Sequence, residues 1–277
     1  MTVVGLLHPG AMGAAVGSQL VSSGHTVLWC AAGRSAASAG RAASAGLRGV
    51  DTVRELLTES SVVLSICPPA AAEGVANLVA GNGFGGVFVD VNAISPHRMA
   101  RIAGLFGDVV DGSIIGPPPR PDRSARVYLS GRDDLVSLVH GLFMGGAAEP
   151  VRLSPRIGDA SALKMAFGSY NKASHALAAV SQALAEEYGV AAALQAEAER
   201  ETESALARPH RVPGVAARAW RWAPEMLEAA ESFGAVGLPA ELATGAAAVL
   251  GRWAADKDDA ELDVAAALRH LRRDSDD

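Results

Sequence analysis

The chain is short of several things, and each shortage excludes something. It has two cysteines in 277 residues. Two thiols give neither a disulfide framework nor a metal-ligand spacing, so no metal site is expected. Cys30 and Cys67 each end an apolar stretch, and reduced thiols in a cytoplasmic protein are the plain reading. Positive charge is also scarce: the formal net charge is −6 and the pI is near 5.7. That balance argues against a nucleic-acid or membrane-surface partner. No apolar run approaches the length of a membrane span. Thr2 to Leu7 is too short for a signal peptide and lacks a basic leader.

Lysine is rarest of all. Lys and Arg together number 24, and only Lys164, Lys172 and Lys257 are lysines. In a chain so biased toward arginine, a retained lysine points to chemistry arginine cannot copy. Arginine stays protonated, whereas a buried lysine can lose its proton near neutral pH. The rest of the composition is globular, and the length fits one large domain or two moderate ones.

What is present begins at the N-terminus. Thr2 to Leu7 is an apolar strand, His8-Pro9-Gly10-Ala11-Met12-Gly13 a turn into a helix, and His25 to Cys30 a second strand. A chain in this order builds a dinucleotide site: the helix start offers unpaired N–H groups and a positive dipole end to a pyrophosphate. In the pattern G-x-G-x-x-G, His8 takes the first glycine position, while Gly10 and Gly13 keep the second and third. Pro9 pushes His8 toward extended geometry, so the turn must fall at Pro9-Gly10. Pro9, Gly10, Ala11, Met12 and Gly13 are therefore expected to bind cofactor. The second strand ends in Cys30-Ala31-Ala32, with no carboxylate for a ribose 2′-hydroxyl. Arg34 and Ser35 follow, and their charge and hydroxyl suit a 2′-phosphate. NADP is favoured over NAD.

Strands and helices then alternate: helix Arg41–Ala45, helix Asp51–Leu57 capped by Asp51, strand Ser61–Ile66, helix Ala70–Ala80, strand Gly86–Val91, a helix from Ser95-Pro96, short strands Val109–Asp111 and Arg126–Leu129, and helix Asp133–Met144. Such alternation indicates an α/β fold with a parallel, doubly wound sheet. Near residue 155 the pattern changes. Asp159 is read as the cap of an unbroken helix from Ala160 to Tyr188, roughly 43 Å at 1.5 Å per residue, ended by Gly189. Helices Ala191–Ala207, Ala216–Ser232, Pro239–Ala255 and Glu261–Leu271 follow, and the charged tail Arg272–Asp277 reads as disordered. Residues 1–155 are thus expected to form an NADP-binding Rossmann domain and 156–277 an all-α domain. A lone long helix needs a partner for its apolar faces, and a homodimer through the helical domain is expected.

On that helix Asn171 and His175 lie about −20° and +20° from Lys164, forming one stripe with Gly168, bordered by Lys172. A groove of this kind suits a small polar substrate. His175 also reads as a structural histidine, and Lys172 as a solvated helix residue.

Several ordered motifs resemble the β-hydroxyacid dehydrogenases related to 6-phosphogluconate dehydrogenase and to the imine reductases. These are Gly5 to Gly13, Cys67-Pro68-Pro69, Asp90 to Pro96, Asp111 to Gly116 and Gly158 to Lys164. The resemblance implies that Cys67, Pro68, Pro69 and Asn92 lie along the cofactor and that Ser113, Ile115 and Gly116 meet substrate, with Asn171 and His175 beside them. It makes Lys164 the general acid/base of hydride transfer to a small carbonyl compound, with a 3-hydroxyacid/oxoacid pair as the expected substrate and product. Imine reduction is one alternative; a catalytically silent NADP-binding sensor or scaffold is another. Three positions differ from the family pattern. Gly168 stands where the family has Asn, and Asn171 is the stand-in one turn on. Ile115-Gly116-Pro117 replaces Ser-Gly-Gly. Arg221 to Met226 lacks the family's second lysine.

Overall fold

The computed structural model describes residues 1–200 and 208–272, and the backbone alone at 180, 181, 184 and 187. Of the expected elements, helical residues 201–207 and tail residues 273–277 lie outside the described residues.

Short runs of β-branched and aliphatic residues form eight strands: β1 Val3–Leu7, β2 Thr26–Cys30, β3 Arg48–Val50, β4 Val62–Ser65, β5 Val87–Asp90, β6 Val109–Ile115, β7 Ala125–Gly131 and β8 Ala148–Ser154. They make one sheet in the order β3-β2-β1-β4-β5-β6-β7-β8. Every junction is parallel except β6–β7. Helices α1 Ala11–Ser22, α2 Ala36–Ser44, α3 Val53–Glu59, α4 Ala72–Gly81, α5 Pro96–Ala103 and α6 Asp133–Leu142 connect them. The α/β, doubly wound reading holds. Central strands buried on both faces explain why β4 and β5 are apolar up to their last residues, Ser65 and Asp90, rather than alternating. Val4, Leu6, Val62, Leu64 and Val89 pack on one face with Val16 and Leu20 of α1. Leu7, Val63 and Phe88 pack on the other with Leu56, Val75, Met99 and Ile102.

Several local readings are corrected. Helix α2 starts at Ala36, because Ser35 is its N-cap and accepts from Ser38 N. Thr52, not Asp51, caps α3: its hydroxyl accepts from Glu55 N, and the Glu55 carboxylate takes the Asp51 N–H. This is a capping box moved by one residue. Strands β3 and β8 carry no strong sequence signal. The first has three residues, and the second holds Pro150 and has only Ala148 buried.

The long helix α7 spans Asp159–Glu187, followed by α8 Ala191–Arg200, α9 Val212–Ala216, α10 Ala219–Ala235, α11 Glu241–Gly251 and α12 Val264–Arg269. The chain divides into compact units Met1–Lys164 and Met165–Asp277. The division falls inside α7, whose first turn is hydrogen-bonded to β6 and β7. In the second unit α10 packs on α11 and α12 on α9. Fully buried Trp253 donates its indole N–H to the Ala267 carbonyl at 2.8 Å. Among the described residues no helix is long and apolar enough to cross a membrane, and no metal-binding cluster of His, Cys, Asp and Glu occurs.

Candidate functional site

The strand order reverses between β1 and β4, since the chain lays β2 and β3 on one side of β1 and β4, β5 and β6 on the other. In open α/β sheets the crevice at that reversal, beyond the carboxyl ends of the strands, takes the ligand. The turn after β1, the loop after β2, Cys67–Pro69 after β4, Asn92 after β5 and Ile115–Gly116 at the end of β6 all lie at that edge.

At the first turn, Gly10 N donates to His8 O at 2.9 Å and closes the bend at Pro9. A Cβ on Gly10 would meet nothing within 4 Å, so space lies open before the N-terminus of α1. A Cβ on Gly13 would instead strike the His8 carbonyl oxygen, so glycine is required there for the helix to approach β1. Ala11 is exposed and Met12 half-buried. The His8 imidazole is held neutral: burial first, then the nearby Arg34 charge, bring its pKa down to about 4. Arg34 itself is exposed. Ser35 caps α2, so its hydroxyl already serves the helix. Sequence reasoning misses Arg41. Its Nε donates to the Pro9 carbonyl at 3.1 Å and its Nη2 to Ser38 Oγ at 3.0 Å. It thereby ties the glycine turn to the first turn of α2.

Asn92 is buried and its amide is fully engaged. Its Oδ1 accepts from Cys67 N at 2.6 Å, and its Nδ2 donates to Ser65 Oγ and to Asp90 Oδ2. In this arrangement it holds the Cys67–Pro69 loop, of which Pro68 is exposed and Pro69 half-buried. Burial, then Asp90, push the Cys67 thiol up to about 11, so it stays protonated at neutral pH. Asp90 and Asp111 are register partners on β5 and β6. Burial lifts the Asp90 carboxyl from an ordinary 3.8 to about 7, with Asp111 adding to the rise. Burial also raises Asp111, opposed by donors from Ser161, Ser130 and Gly158.

On β6, Ser113 is fully buried, and its hydroxyl finds no hydrogen-bond partner among the described residues. Ile115 is half-buried and Gly116 exposed. Gly116 has φ +132, and a Cβ there would crowd Ala125 at 3.0 Å. Lys164 belongs to this same unit. Its Nζ donates to the Ile114 carbonyl at 2.6 Å, one residue from Ser113 and Ile115.

Asp159 does not cap α7. Its carboxylate accepts from Ser154 Oγ and Arg156 instead.

The second unit holds the remaining expected residues. Asn171 is exposed, and its carbonyl lies 2.7 Å from His175 Nδ1. His175 meets Trp222 edge-on at 5.9 Å between centroids. Lys172 is not solvated: it is 8% exposed and pairs with Glu225 at 2.9 Å, with its Nζ 5.8 Å from the Trp222 ring centroid. A Cβ on Gly168 would sit 3.2 Å from that Nζ, so the glycine makes room for the buried amine.

Residues 185–253 match a family described as a domain of unknown function, DUF1932. Among curated proteins no sequence matches this one. The solved structure of the conserved protein MTH1747, described as of unknown function with structural similarity to 3-hydroxyacid dehydrogenases, is 25% identical with a TM-score of 0.68. The match covers 92% of this chain and 97% of that one. The 3-hydroxyisobutyrate dehydrogenase of Mycobacterium tuberculosis, solved with L-serine, superposes with a TM-score of 0.78 at 20% identity, over 99% of this chain and 100% of its own. The fold of this chain is thus similar to that of proteins described as 3-hydroxyacid dehydrogenase-like. A reductive aminase from Aspergillus terreus, solved with NADPH and ethyl-5-oxohexanoate, is similar at 18% identity and a TM-score of 0.58, over 98% of this chain and 100% of its own.

For a chain of this dehydrogenase-like fold, the residues that sequence reasoning overlooks are Asp90, Asp111 and Arg41. The two carboxylates did leave a signal. Each interrupts an apolar strand, Val87-Phe88-Val89-Asp90 and Val109-Val110-Asp111, and a carboxylate inside a buried strand must find donors. Arg41 left none, because its partner is a backbone carbonyl on another loop.

Proposed function

We propose that the chain is an NADP-dependent oxidoreductase acting on a small carbonyl or hydroxy compound of the 3-hydroxyacid type, with Lys164 as general acid/base. The observation that carries this reading is the Lys164 amine, which meets Ile114 at the end of β6 in the unit that holds the glycine turn. The residues present fit a dinucleotide: open space before α1 for pyrophosphate, an exposed Arg34 for a 2′-phosphate, and a loop fixed by Asn92. Bound NADP would supply or accept the hydride. Lys164 would hold a proton at Nζ and exchange it with the substrate oxygen. Pro68 and Pro69 would shield the reacting face from water. Asn171 and His175 are proposed as substrate contacts. That the Aspergillus terreus aminase was solved with NADPH supports the cofactor class.

The test is NADPH oxidation across oxoacids, aldehydes and imines. Turnover on oxoacids supports the reading. Turnover on imines alone would make the protein an imine reductase, and silence with tight NADPH binding would make it a sensor or scaffold. Cofactor choice has its own test. Arg34→Ala is expected to weaken NADPH binding about 10–100-fold, the worth of a charge-assisted contact, and to leave NADH unchanged. Equal losses for both cofactors in a fluorescence titration would refute the role of Arg34.

A second copy of the chain is the proposed partner. Tyr170, Leu177 and Tyr188 are 75%, 69% and 74% exposed. At 100° per residue Tyr170 and Leu177 lie about 20° apart on α7, and Tyr188 directly follows its last residue. An aromatic and aliphatic stripe of this kind on a long helix is what a symmetric interface covers. Light scattering on the eluting protein should give twice the chain mass of 28.2 kDa, and Leu177→Asp should yield monomer. A wild-type monomer at micromolar concentration would rule the dimer out.

A further inference from the structure

We propose that Asp111 is a positioning residue for Lys164: its carboxylate clamps the first turn of α7 to the sheet and so fixes where the Lys164 amine sits. The catalytic meaning of this rests on the proposed role of Lys164, but the clamp itself does not. Helices need partners for their first N–H groups, and these normally come from a side chain at the helix start. Here they come from strands. Asp111 Oδ2 accepts from Gly158 N at 2.9 Å, from Ser161 N at 3.1 Å and from Ser130 Oγ at 3.0 Å. Asp111 Oδ1 accepts from Ser161 Oγ at 2.8 Å. Ser130 Oγ in turn accepts from Ala160 N at 3.0 Å. One buried carboxylate thus engages two backbone N–H groups and two hydroxyls. It also lies at the positive end of a helix 29 residues long.

Lys164 is one turn beyond Ser161, so the two side chains share a helix face. Its amine reaches back to the carbonyl of Ile114, three residues along β6 from Asp111. Helix and strand are therefore pinned at two points, one holding the helix start and one the amine. The outer tie depends on the inner: a shift or rotation of the first turn of α7 carries the Lys164 stem with it. Gly158 belongs to the same device. Its φ is +99, and its N–H points at Asp111. The donors around Asp111 oppose the rise that burial imposes on its carboxyl.

The three lysines of the chain make the test direct. Lysine labelled with carbon-13 at Cε gives three signals, and Lys164→Arg assigns the one that matters. In Asp111→Asn the amide nitrogen cannot accept, and the charge is gone. The Lys164 signal is expected to move and its titration midpoint to shift by about half a pH unit or more, because an amine displaced from the Ile114 carbonyl changes its hydrogen bonding and solvation. Lys172 and Lys257, in the other unit, should stay where they are. A general loosening of the fold would not single out one lysine. Ser161→Ala keeps the carboxylate and favours the helix, and should move the Lys164 signal the same way by less; it decides the matter if Asp111→Asn does not fold. A Lys164 signal and midpoint that match wild type in a folded variant would overturn the proposal. Movement of Lys164 in a protein that turns over no substrate would uphold the clamp while refuting catalysis.

Discussion

Replacing Lys164 with alanine is expected to lower turnover about 10²–10⁴-fold, the usual worth of a placed general acid or base. Cofactor binding should be unchanged, because it is assigned to the glycine turn, Arg34 and the Asn92-braced loop rather than to the Lys164 amine. The loss should fall in kcat and in kcat/KM alike, since the proton is needed in the transition state more than in the ground state. Lys164→Arg discriminates further. Arginine keeps the charge and can still reach a carbonyl, but it does not give up its proton near neutral pH. If charge alone mattered, arginine would restore activity; if proton exchange matters, it will fail as alanine does. Initial rates on whichever compound the NADPH panel identifies provide the measurement. An alanine variant within threefold of wild type would remove Lys164 from the chemistry.

Much of this architecture can be read from local pattern. Strands β1, β2, β4 and β5 are short apolar runs, and their sequence order with α1 between the first two dictates a parallel nucleotide-binding sheet. Helix α7 was recognisable by its unbroken helical spacing, and it ends one residue from the expected stop. The misses share a physical cause: they depend on contacts remote in sequence. The cap of α7 is invisible locally because its acceptors sit on β6 and β7, and a nearby Asp159 looks like the obvious candidate. Strand β8 exists because β7 offers it a parallel edge, not because its residues favour a strand. Ser35 and Asn92 fall where a cofactor would be met, yet their polar groups are engaged by α2 and by the Cys67 loop. Lys172 reads as a solvent-facing cation only until Glu225 is found beside it.

That pair should have a large effect on stability. Glu225→Ala is expected to cost about 3 kcal/mol, because it leaves the Lys172 amine buried without its counter-ion. The figure belongs at the lower end of the range for broken buried pairs, since the two side chains are 10% and 17% exposed and solvent can reach in. The Trp222 ring, with the amine 5.8 Å from its centroid, offsets only about 0.5–1 kcal/mol. Lys172→Met should cost less than Glu225→Ala, because an orphaned carboxyl can take up a proton at the pH of the cell more readily than a buried amine can find an anion. The double variant Lys172→Met with Glu225→Leu removes both charges and restores volume. It should return to within about 1 kcal/mol of wild type, as apolar replacements of buried pairs commonly do. Urea unfolding of the four proteins provides the measurement, and the midpoint and slope together report the free energies. A Glu225→Ala protein within about 0.5 kcal/mol of wild type would mean that the pair behaves as a screened surface contact. The position of Lys172 in the core of the second unit would then need another cause.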